Sequence, residues 1–344
     1  QVLDVGCAEG QLLEILLNDP RFMRLAGVDI DVDALNLAMR ACAPTEYDKT
    51  YLRELPVEFN LWHGIHSLRD DKANSGFPGS IAEMDPRLSG FEAIASIEVV
   101  EHLPADVLAV FPRVTLGEYR PRIMVVTTPN ADFNVNFTDL QHGTPEKPFR
   151  HWDHKFEWTR AEFQAWASSA AAEYGYAVRF MGVGTLASGL GNEHIVGQCS
   201  QVAVFTRLPD LERPSKGRSS CPPGPASPPY KHHGSIQYPY FAETGFSNAD
   251  IVAELRHLTP VLVWNDWHSR CADLRAEGSS TPAAWKDSGG THGIPLDAFW
   301  NILRVRQLCK THDRFLDVLR SPECTPFYLL EEEQKNVRVL FAVP

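Results

Sequence analysis

Several common signatures are missing from this sequence. None of its seven cysteines stands in a C-x-x-C pair and their number is odd, which argues against a disulfide framework and a structural zinc site. This cysteine usage favours a reducing compartment, and we expect a cytoplasmic protein, with the nucleus as the alternative. No apolar run is long enough to span a bilayer, so we expect no membrane partner. The chain begins on Gln1 without a Met or a signal peptide, and we expect it to start inside a longer gene product.

Basic charge is scarce in the first part of the chain. The net charge is −12, and residues 1–214 contain 18 Lys and Arg against 30 Asp and Glu, whereas residues 215–344 contain 14 of each. A broad phosphate-binding face needs an excess of Lys and Arg. We therefore expect any nucleic acid to be bound locally, by few side chains.

Strand-like apolar runs alternate with helix-like stretches through about residue 207. This alternation predicts parallel strands joined by crossover helices, which is an α/β doubly wound sheet. Residues 70–90 are rich in Gly, Pro, Ser and Asp, and we interpret them as a loop insertion. The predicted strands are Val2–Gly6, Arg24–Ile30, Glu58–His63, Ala93–Glu98, Arg122–Thr128, Ala177–Met181 and Gln201–Arg207, and the predicted helices are Gln11–Asn18, Val32–Cys42, Ala105–Tyr119 and Arg160–Tyr174.

The composition divides the chain into three parts. We predict a catalytic domain at 1–208, a proline-rich linker at 209–235 with seven prolines between Pro209 and Pro229, and an extension at 236–344. The extension is predicted to be mostly helical and carries no chemical motif. Its predicted helices are Asn248–His257, Leu296–Lys310 and Asp313–Leu319.

The first ten residues form a strand, a glycine-rich turn and a helix start. Gly6 and Gly10 allow backbone to approach a ligand closely, and Asp29 ends the next strand, where a carboxylate can accept both ribose hydroxyls. A dinucleotide site expects G-x-G-x-x-G, whereas this turn is D-x-G-C-x-x-G with Asp4 and Glu9 nearby. Negative charge suits a sulfonium cofactor and repels phosphates. The turn resembles that of class I methyltransferases, which use S-adenosylmethionine.

The third predicted strand supplies one further candidate for the cofactor site. By the same resemblance, residues 61–65 flank the adenine, and His63 stands about where many members of this class carry an acidic residue.

A second candidate site follows the fourth strand. Glu98, Glu101 and His102 stand at i, i+3 and i+4, so a helical turn would project all three to one side. Two carboxylates and an imidazole that converge on one point repel one another unless a cation lies between them. Oxygen-rich ligation favours Mg²⁺ or Mn²⁺ over zinc. The alternative is a solvated acidic helix start.

The loop from Phe149 to Arg160 carries a second cluster of aromatic and charged residues. Thr159 and Glu162 form a capping box for the following helix, so part of this loop is structural. A histidine in so polar a segment is an improbable core residue, and we expect this loop to supply a fourth metal ligand.

Together, E-x-x-E-H after the fourth strand and F-R-x-x-D-H-x-F-E-W-[ST]-R-x-E-F in this loop resemble the small-RNA 3′-terminal 2′-O-methyltransferases. That family modifies plant microRNAs and animal Piwi-associated RNAs on a Rossmann-like class I methyltransferase sheet. The resemblance covers about residues 2–207, with a weaker match to 241, and residues 242–344 match nothing known. The resemblance implies that Mg²⁺ is ligated by Glu98, Glu101, His102 and His154, while His151 falls on a variable position.

The resemblance further implies methyl transfer from S-adenosylmethionine to the 2′-hydroxyl at the 3′ end of a small RNA. The substrate end would be a free 2′,3′-diol, delivered by an Argonaute or Piwi-type protein. His102 or His151 could accept the proton. Candidate RNA contacts are Lys147, Arg150, Lys155, Arg160, Trp152 and Phe149, whereas Phe156 and Trp158 also suit core packing.

Two other functions remain open from the residues alone. A small-molecule O-methyltransferase acting on quinone or catechol substrates would explain the cofactor turn and the E-H pair but not the loop around His154. A non-catalytic binding protein on a decayed fold would not need an intact turn and four intact candidate ligands.

Overall fold

A computed structural model describes residues 1–64, 81–137, 149–185, 193–209, 228–276, 293–331 and 333–340. The chain forms two compact units. The first consists of residues 1–43 and 57–237, and the second of residues 44–56 and 238–344. In the described residues, no helix has the length and apolar character required to cross a membrane.

The first unit contains an eight-stranded sheet, and the second contains a three-stranded sheet. The strands are β1 Val2–Val5, β2 Arg24–Asp29, β3 Glu58–Gly64, β4 Ala93–Ile97, β5 Ile123–Pro129, β6 Tyr176–Val183, β7 Ser200–Arg207, β8 Tyr230–Gln237, β9 Gly293–Pro295, β10 Tyr328–Glu331 and β11 Asn336–Val339. The α-helices are α1 Gln11–Leu17, α2 Val32–Ala41, α3 Glu46–Thr50, α4 Ala105–Pro112, α5 Arg160–Tyr174, α6 Glu193–Val196, α7 Asn248–Ala276, α8 Leu296–Trp300, α9 Leu303–Cys309 and α10 His312–Leu319.

The sheet of the first unit confirms the doubly wound prediction. Its order is β6-β7-β5-β4-β1-β2-β3-β8, with β1 to β5 parallel and the outer strands β6, β7 and β8 antiparallel to their neighbours. The central strand β1 is buried along its whole length, as a strand covered on both faces must be. Parallel strands place their carboxyl ends at one edge of the sheet, and all the candidate site strands end there.

One connection in the first unit differs from the sequence-based expectation. The predicted helix 105–119 is α4 followed by a π-helical segment, Arg113–Tyr119, and the change occurs at Pro112, which cannot donate the next helical hydrogen bond. In the predicted insertion 70–90, the structure describes residues 81–90, which include the 3₁₀ turn Pro86–Leu88.

The predicted linker 209–235 is not irregular throughout. Its last residues form β8, which pairs antiparallel with β3 and buries Tyr230 and Ile236. A strand that buries apolar side chains on a sheet edge is part of the sheet, so residues 230–235 belong to the first unit and not to a linker. Residues 210–227 lie outside the described residues.

The second unit is built from helices around its own core. Phe299, Phe315 and Tyr328 are among its fully buried aromatic side chains. The sequence predicted helices here but not the antiparallel sheet of order β10-β11-β9, whose strands are only three or four residues long. The predicted helix 296–310 is two helices, α8 and α9.

Candidate active site

The glycine-rich turn after β1 depends on two left-handed residues. Gly6 has φ 77° and Gly10 has φ 82°, a backbone region that favours glycine. A Cβ on Gly6 would lie 2.5 Å from Val99 Cγ2, and one on Gly10 would lie 2.9 Å from Ala38 Cβ. The glycines are therefore required by the fold itself, and close approach to a ligand, which the sequence suggested, is not their only function.

Asp29 at the end of β2 is tied to this turn. Ala8 N–H donates to Asp29 Oδ2 at 2.8 Å, and Asp31 N–H donates to Asp29 Oδ1 at 2.9 Å. Asp4 is buried below the turn, and its burial, followed by the charge of Asp29, raises the pKa of Asp4 to about 7. Two carboxylates beside a turn without any phosphate-binding cation suit a positively charged sulfonium cofactor.

His63 lies next to Asp29 across the sheet. The Cα register pairs His63 with Asp29 on one side and with Lys231 of β8 on the other. This places His63 at the carboxyl edge of the sheet, beside the candidate ribose acceptor. Its contact with adenine stays a prediction, and Ile65 lies outside the described residues.

The carboxyl end of β4 carries Glu98 in a strained conformation. Its φ is 54°, an uncommon value for a residue with a side chain. Three hydrogen bonds to Thr127 of the neighbouring β5 hold it there. Glu98 N–H donates to Thr127 Oγ1 at 3.0 Å and to the Thr127 carbonyl at 3.2 Å, and the Thr127 hydroxyl donates to Glu98 Oε1 at 2.7 Å. Such strain at a sheet edge is typical of functional residues.

Glu101 follows in the 3₁₀ turn Val100–His102 and is completely buried. Thr128 Oγ1 donates to Glu101 Oε2 at 2.9 Å, but Glu101 Oε1 has no hydrogen-bond partner. Burial, with a smaller contribution from the Glu98 charge, raises the pKa of Glu101 to about 8. A buried carboxylate oxygen without a donor is costly unless something cationic satisfies it.

The loop before α5 brings histidines to this turn. Lys155 N–H donates to the Glu101 carbonyl at 2.8 Å, which fixes the loop against the 3₁₀ turn. His102 Nδ1 lies 3.1 Å from Asp153 Oδ2, and His154 Nδ1 lies 2.7 Å from Glu157 Oε1. Hydrogen bonds from Lys155 and then from His102 hold the pKa of Asp153 below its usual range.

The structure assembles the predicted ligands only in part. Within the described residues, ligand atoms of His102, His151 and His154 all lie within 4.8 Å of one another. Glu101 is adjacent, with its Oε1 4.0 Å from His102 Nε2. Glu98 and Glu101 lie outside this group, with one carboxylate oxygen of each bonded by Thr127 or Thr128, and His151, which the resemblance left out, lies inside it.

Asp153 and Glu157 are site residues to which the sequence pattern assigned no function. Glu157 is almost fully buried and accepts hydrogen bonds from Asn134 Nδ2 at 2.7 Å and Arg150 N–H at 2.6 Å, besides facing His154. Carboxylates that orient metal-binding imidazoles are a recurrent arrangement. The signal in the sequence was an acidic residue immediately before His154 and another three residues after it.

The predicted RNA contacts differ in how free they are. Arg150 and Arg160 are engaged inside the protein. The Arg150 guanidinium bonds the carbonyls of residues 130 and 199, and that of Arg160 bonds Asp132 and the Ile195 carbonyl, which argues against a substrate contact for either. Lys155 donates to Asp153 Oδ1 at 2.9 Å. Lys147 lies outside the described residues.

The aromatic residues of the loop divide into core and surface. Phe156 and Trp158 pack with ring centroids 4.4 Å apart, and Trp158 contacts Trp166 of α5 at 5.1 Å, which confirms the packing interpretation. Trp152 is 88% exposed beside His151, with ring centroids 5.4 Å apart. An exposed tryptophan next to the imidazole cluster remains available to a ligand.

The residues at this edge fit a divalent cation. The unpartnered Glu101 Oε1 offers a buried oxygen ligand, and the carboxylate partners of His102 and His154 leave Nε2 of each ring able to bind a cation. Glu98 adds a second carboxylate at the same edge.

No protein-family profile matches the chain. The small RNA 2′-O-methyltransferase of Rattus norvegicus is 40% identical over 207 residues, which are 60% of this chain and 46% of that protein. The protein of the same name from Gallus gallus is 30% identical over 341 residues, 92% of this chain and 83% of that protein. The Drosophila melanogaster protein of the same name is 30% identical over 247 residues, which are 71% of this chain and 58% of that protein.

Two solved structures are also similar. The match to the crystal structure of small RNA methyltransferase HEN1 covers 69% of this chain and 26% of the HEN1 chain, at 29% identity and a TM-score of 0.49. The match to the methyltransferase domain of bacterial CtHen1-CN covers 60% of this chain and 89% of that domain's chain, at 32% identity and a TM-score of 0.44.

The sheet order and the glycine-rich turn define an S-adenosylmethionine-dependent methyltransferase domain of class I. Because the similarity to the Gallus gallus protein extends over most of both chains, the chain belongs to the small RNA 2′-O-methyltransferase family. It spans about half the length of the rat and mouse relatives.

Proposed function

We propose that this chain transfers a methyl group from S-adenosylmethionine to the 2′-hydroxyl of the 3′-terminal nucleotide of small RNAs. The observation that carries the proposal is the meeting of the Glu101–His102 turn with the His154 loop at the carboxyl edge of the sheet, where Glu101 Oε1 lacks a partner. A cofactor turn alone would suit any methyltransferase of this class. The imidazole and carboxylate cluster beside it favours a substrate with vicinal oxygens.

Mg²⁺ or Mn²⁺ would be held by Glu98, Glu101, His102 and His154. When bound, such an ion lowers the pKa of a neighbouring hydroxyl and fixes its direction. Four protein ligands leave about two of the six positions that such an ion prefers, and a terminal ribose offers two hydroxyls.

The protein residues prepare this geometry. Thr127 and Thr128 hold the two carboxylates, and Asp153 and Glu157 orient the two imidazoles, so that little reorganisation is needed when substrate binds. In the reaction the ribose 2′-oxygen bonds to the methyl carbon as the carbon–sulfur bond breaks, which leaves S-adenosylhomocysteine, and the proton of the hydroxyl passes to solvent water.

The substrate is proposed to be recognised by its end and not by its sequence. The acidic first unit offers few free cations for internal phosphates, so internal nucleotides should add little affinity. Delivery by an Argonaute or Piwi-type protein is part of the proposal, but chemistry on naked RNA should not require it.

The test uses matched short RNAs ending in a 2′,3′-diol, a 3′-deoxy, a 2′-deoxy or a 3′-phosphate group, with catechol as a small-molecule control. Incorporation of labelled methyl is measured for each, and the diol product is mapped by resistance to periodate. Only the diol should be methylated efficiently, at its terminal 2′-oxygen. Equal methylation of internal riboses or of the 3′-phosphorylated RNA would contradict the proposal, and transfer to catechol alone would identify a small-molecule enzyme.

A further inference from the structure

The imidazole cluster contains one histidine more than the proposed metal centre needs. His102, His151 and His154 approach one another within 4.8 Å through their ring nitrogens, yet they belong to different parts of the chain. His102 comes from the 3₁₀ turn, and the other two come from the loop before α5. The third imidazole therefore needs its own explanation.

The partner of Nδ1 separates the three rings into two kinds. His102 and His154 direct Nδ1 at carboxylates, 3.1 Å from Asp153 Oδ2 and 2.7 Å from Glu157 Oε1. A carboxylate only accepts, so Nδ1 carries the proton and Nε2 keeps the lone pair that a metal requires.

His151 has the opposite arrangement. The backbone N–H of Asp153 donates to His151 Nδ1 at 3.2 Å, so this nitrogen accepts and the proton of the neutral ring lies on Nε2. A nitrogen that carries a proton cannot ligate a metal, but it can donate a hydrogen bond. Asp153 thus sets both tautomers, that of His102 through its side chain and that of His151 through its backbone.

We propose that His151 positions the substrate: its Nε2–H donates a hydrogen bond to the ribose 3′-oxygen or to the phosphate of the RNA 3′-terminal nucleotide, and it does not ligate the metal. This inference rests on the proposed function. The neighbouring cations described in the same loop are already engaged, which favours His151 as the donor that this loop offers. Lys155 bonds Asp153, and the Arg150 guanidinium bonds backbone carbonyls. His151 is exposed, as is the adjacent Trp152, so the pair offers substrate one donor and one aromatic face.

The experiment compares His151→Phe, His151→Gln and His154→Ala in the full chain. Phe keeps a flat ring without a donor, whereas Gln keeps an N–H group near the position of Nε2. With S-adenosylhomocysteine bound, the affinity for a short diol-ended RNA is measured by fluorescence anisotropy, and Mn²⁺ affinity by electron paramagnetic resonance.

His151→Phe should weaken RNA binding about tenfold, as expected for one lost hydrogen bond, and leave Mn²⁺ affinity within about twofold of wild type. His151→Gln should recover most of the RNA affinity. His154→Ala should lose Mn²⁺ binding. In turnover, His151→Phe should raise KM for RNA and leave KM for S-adenosylmethionine unchanged.

Two modified RNAs locate the accepting oxygen. If His151 donates to the ribose 3′-oxygen, the difference between wild type and His151→Phe should vanish on 3′-deoxy RNA. If it donates to the terminal phosphate, the difference should vanish when that linkage is a methylphosphonate. A full difference on both RNAs would overturn the inference.

If His151→Phe lowers Mn²⁺ affinity as much as His154→Ala does, His151 is a metal ligand. If His151→Gln binds RNA as weakly as His151→Phe, His151 does not act as a hydrogen-bond donor. Wild type that fails to methylate any RNA contradicts the proposed function. Wild type that methylates the terminal 2′-oxygen while both His151 variants bind RNA normally contradicts this inference alone.

Discussion

The cofactor turn and the proposed metal site lie at the same edge of one sheet but differ in how far their own residues satisfy them. Both oxygens of Asp29 already accept backbone N–H groups, and the turn closes on its own glycines. At the proposed metal site, Glu101 Oε1 is buried without a hydrogen-bond partner, 4.0 Å from His102 Nε2, and His102, His151 and His154 lie close together. The cofactor edge is thus satisfied by its own backbone, whereas the second edge keeps a buried oxygen that a cation could satisfy.

This difference teaches that the two edges should fail independently. A change at the metal edge should remove chemistry without loosening the methyl donor, and a change at the turn should do the reverse. Variants of Glu101, His154 and Asp29 test that separation. The pH dependence of Asp4→Asn tests the charge below the turn, and Arg306→Ala tests whether the second unit is needed by either edge.

The largest effect is expected from Glu101→Ala and His154→Ala. Each removes a proposed ligand, so methyl transfer to diol-ended RNA should fall by on the order of a thousandfold or more, and EDTA should have the same effect on wild type. The affinity for S-adenosylmethionine, measured by calorimetry, should stay within about twofold. Glu92→Ala is the matched control, since it removes an exposed carboxylate from the other end of β4. Full turnover in EDTA would refute the metal assignment.

A smaller effect is expected from Asp29→Ala. Two ribose hydroxyls lose a charged acceptor, so the affinity for S-adenosylmethionine should weaken by on the order of 1–3 kcal/mol, while Mn²⁺ affinity stays unchanged. The S-adenosylmethionine affinity of Asp29→Asn, which keeps one acceptor for the turn, should lie between those of wild type and Asp29→Ala. Asp33→Ala, an exposed acid in the first turn of α2, is the control. An unchanged dissociation constant for Asp29→Ala would mean that Asp29 does not face the ribose.

The third prediction concerns pH. Burial raises the pKa of Asp4 to about 7, well above that of an unfolded aspartate, so the folded state binds a proton that the unfolded state has released. Stability is then highest below about pH 4 for this group and is lost as the pH rises toward 7. Asp4→Asn removes this penalty.

The stabilisation of Asp4→Asn relative to wild type should therefore be larger at pH 8 than at pH 5, by on the order of 2 kcal/mol. Urea unfolding of the metal-free protein at both values measures it. A difference that does not change with pH would show that Asp4 is charged in the folded state throughout.

The sequence predicted β1, the glycine-rich turn and the position of Asp29 at the end of β2, because the turn is contiguous and its signals are local; the cofactor contacts of these residues stay a prediction. The proposed metal site was harder to predict from the sequence. Glu101 and His102 share one short turn, but their approach to His154 depends on a loop fifty residues away, and only a family resemblance connected them. Asp153 and Glu157 could not be assigned roles without the tautomers that they set.

Other parts of the fold had weak local signals. Tyr230–Gln237 shows no clean alternation of buried and exposed residues, because its pairing with β3 contains an irregularity at Leu61 and Trp62. It also follows a proline-rich stretch, and the composition there indicated a linker. The placement of residues 44–56 in the second unit is decided by long-range contacts that no window of the sequence contains.

The smallest effect on chemistry is expected from Arg306→Ala in the second unit. Arg306 Nε donates to the buried Glu54 Oε1 at 3.1 Å, so residues 44–56 are held by the extension, together with Gln307 and Lys310, which bond the carbonyls of residues 52 and 54. A chain cut near residue 245 would remove these partners of residues 44–56, and a point variant is therefore the sharper test of the expectation that the extension is dispensable for chemistry.

Removing one partner of the Arg306–Glu54 pair should destabilise the second unit by about 1–3 kcal/mol, and replacing both residues with leucine should recover part of that loss. Methyl transfer to diol-ended RNA and the affinities for S-adenosylmethionine and Mn²⁺ should remain at wild-type values, since every proposed site residue lies in the first unit. Lost methyl transfer in a variant that is still folded at the assay temperature would instead show that the second unit contributes to the substrate site.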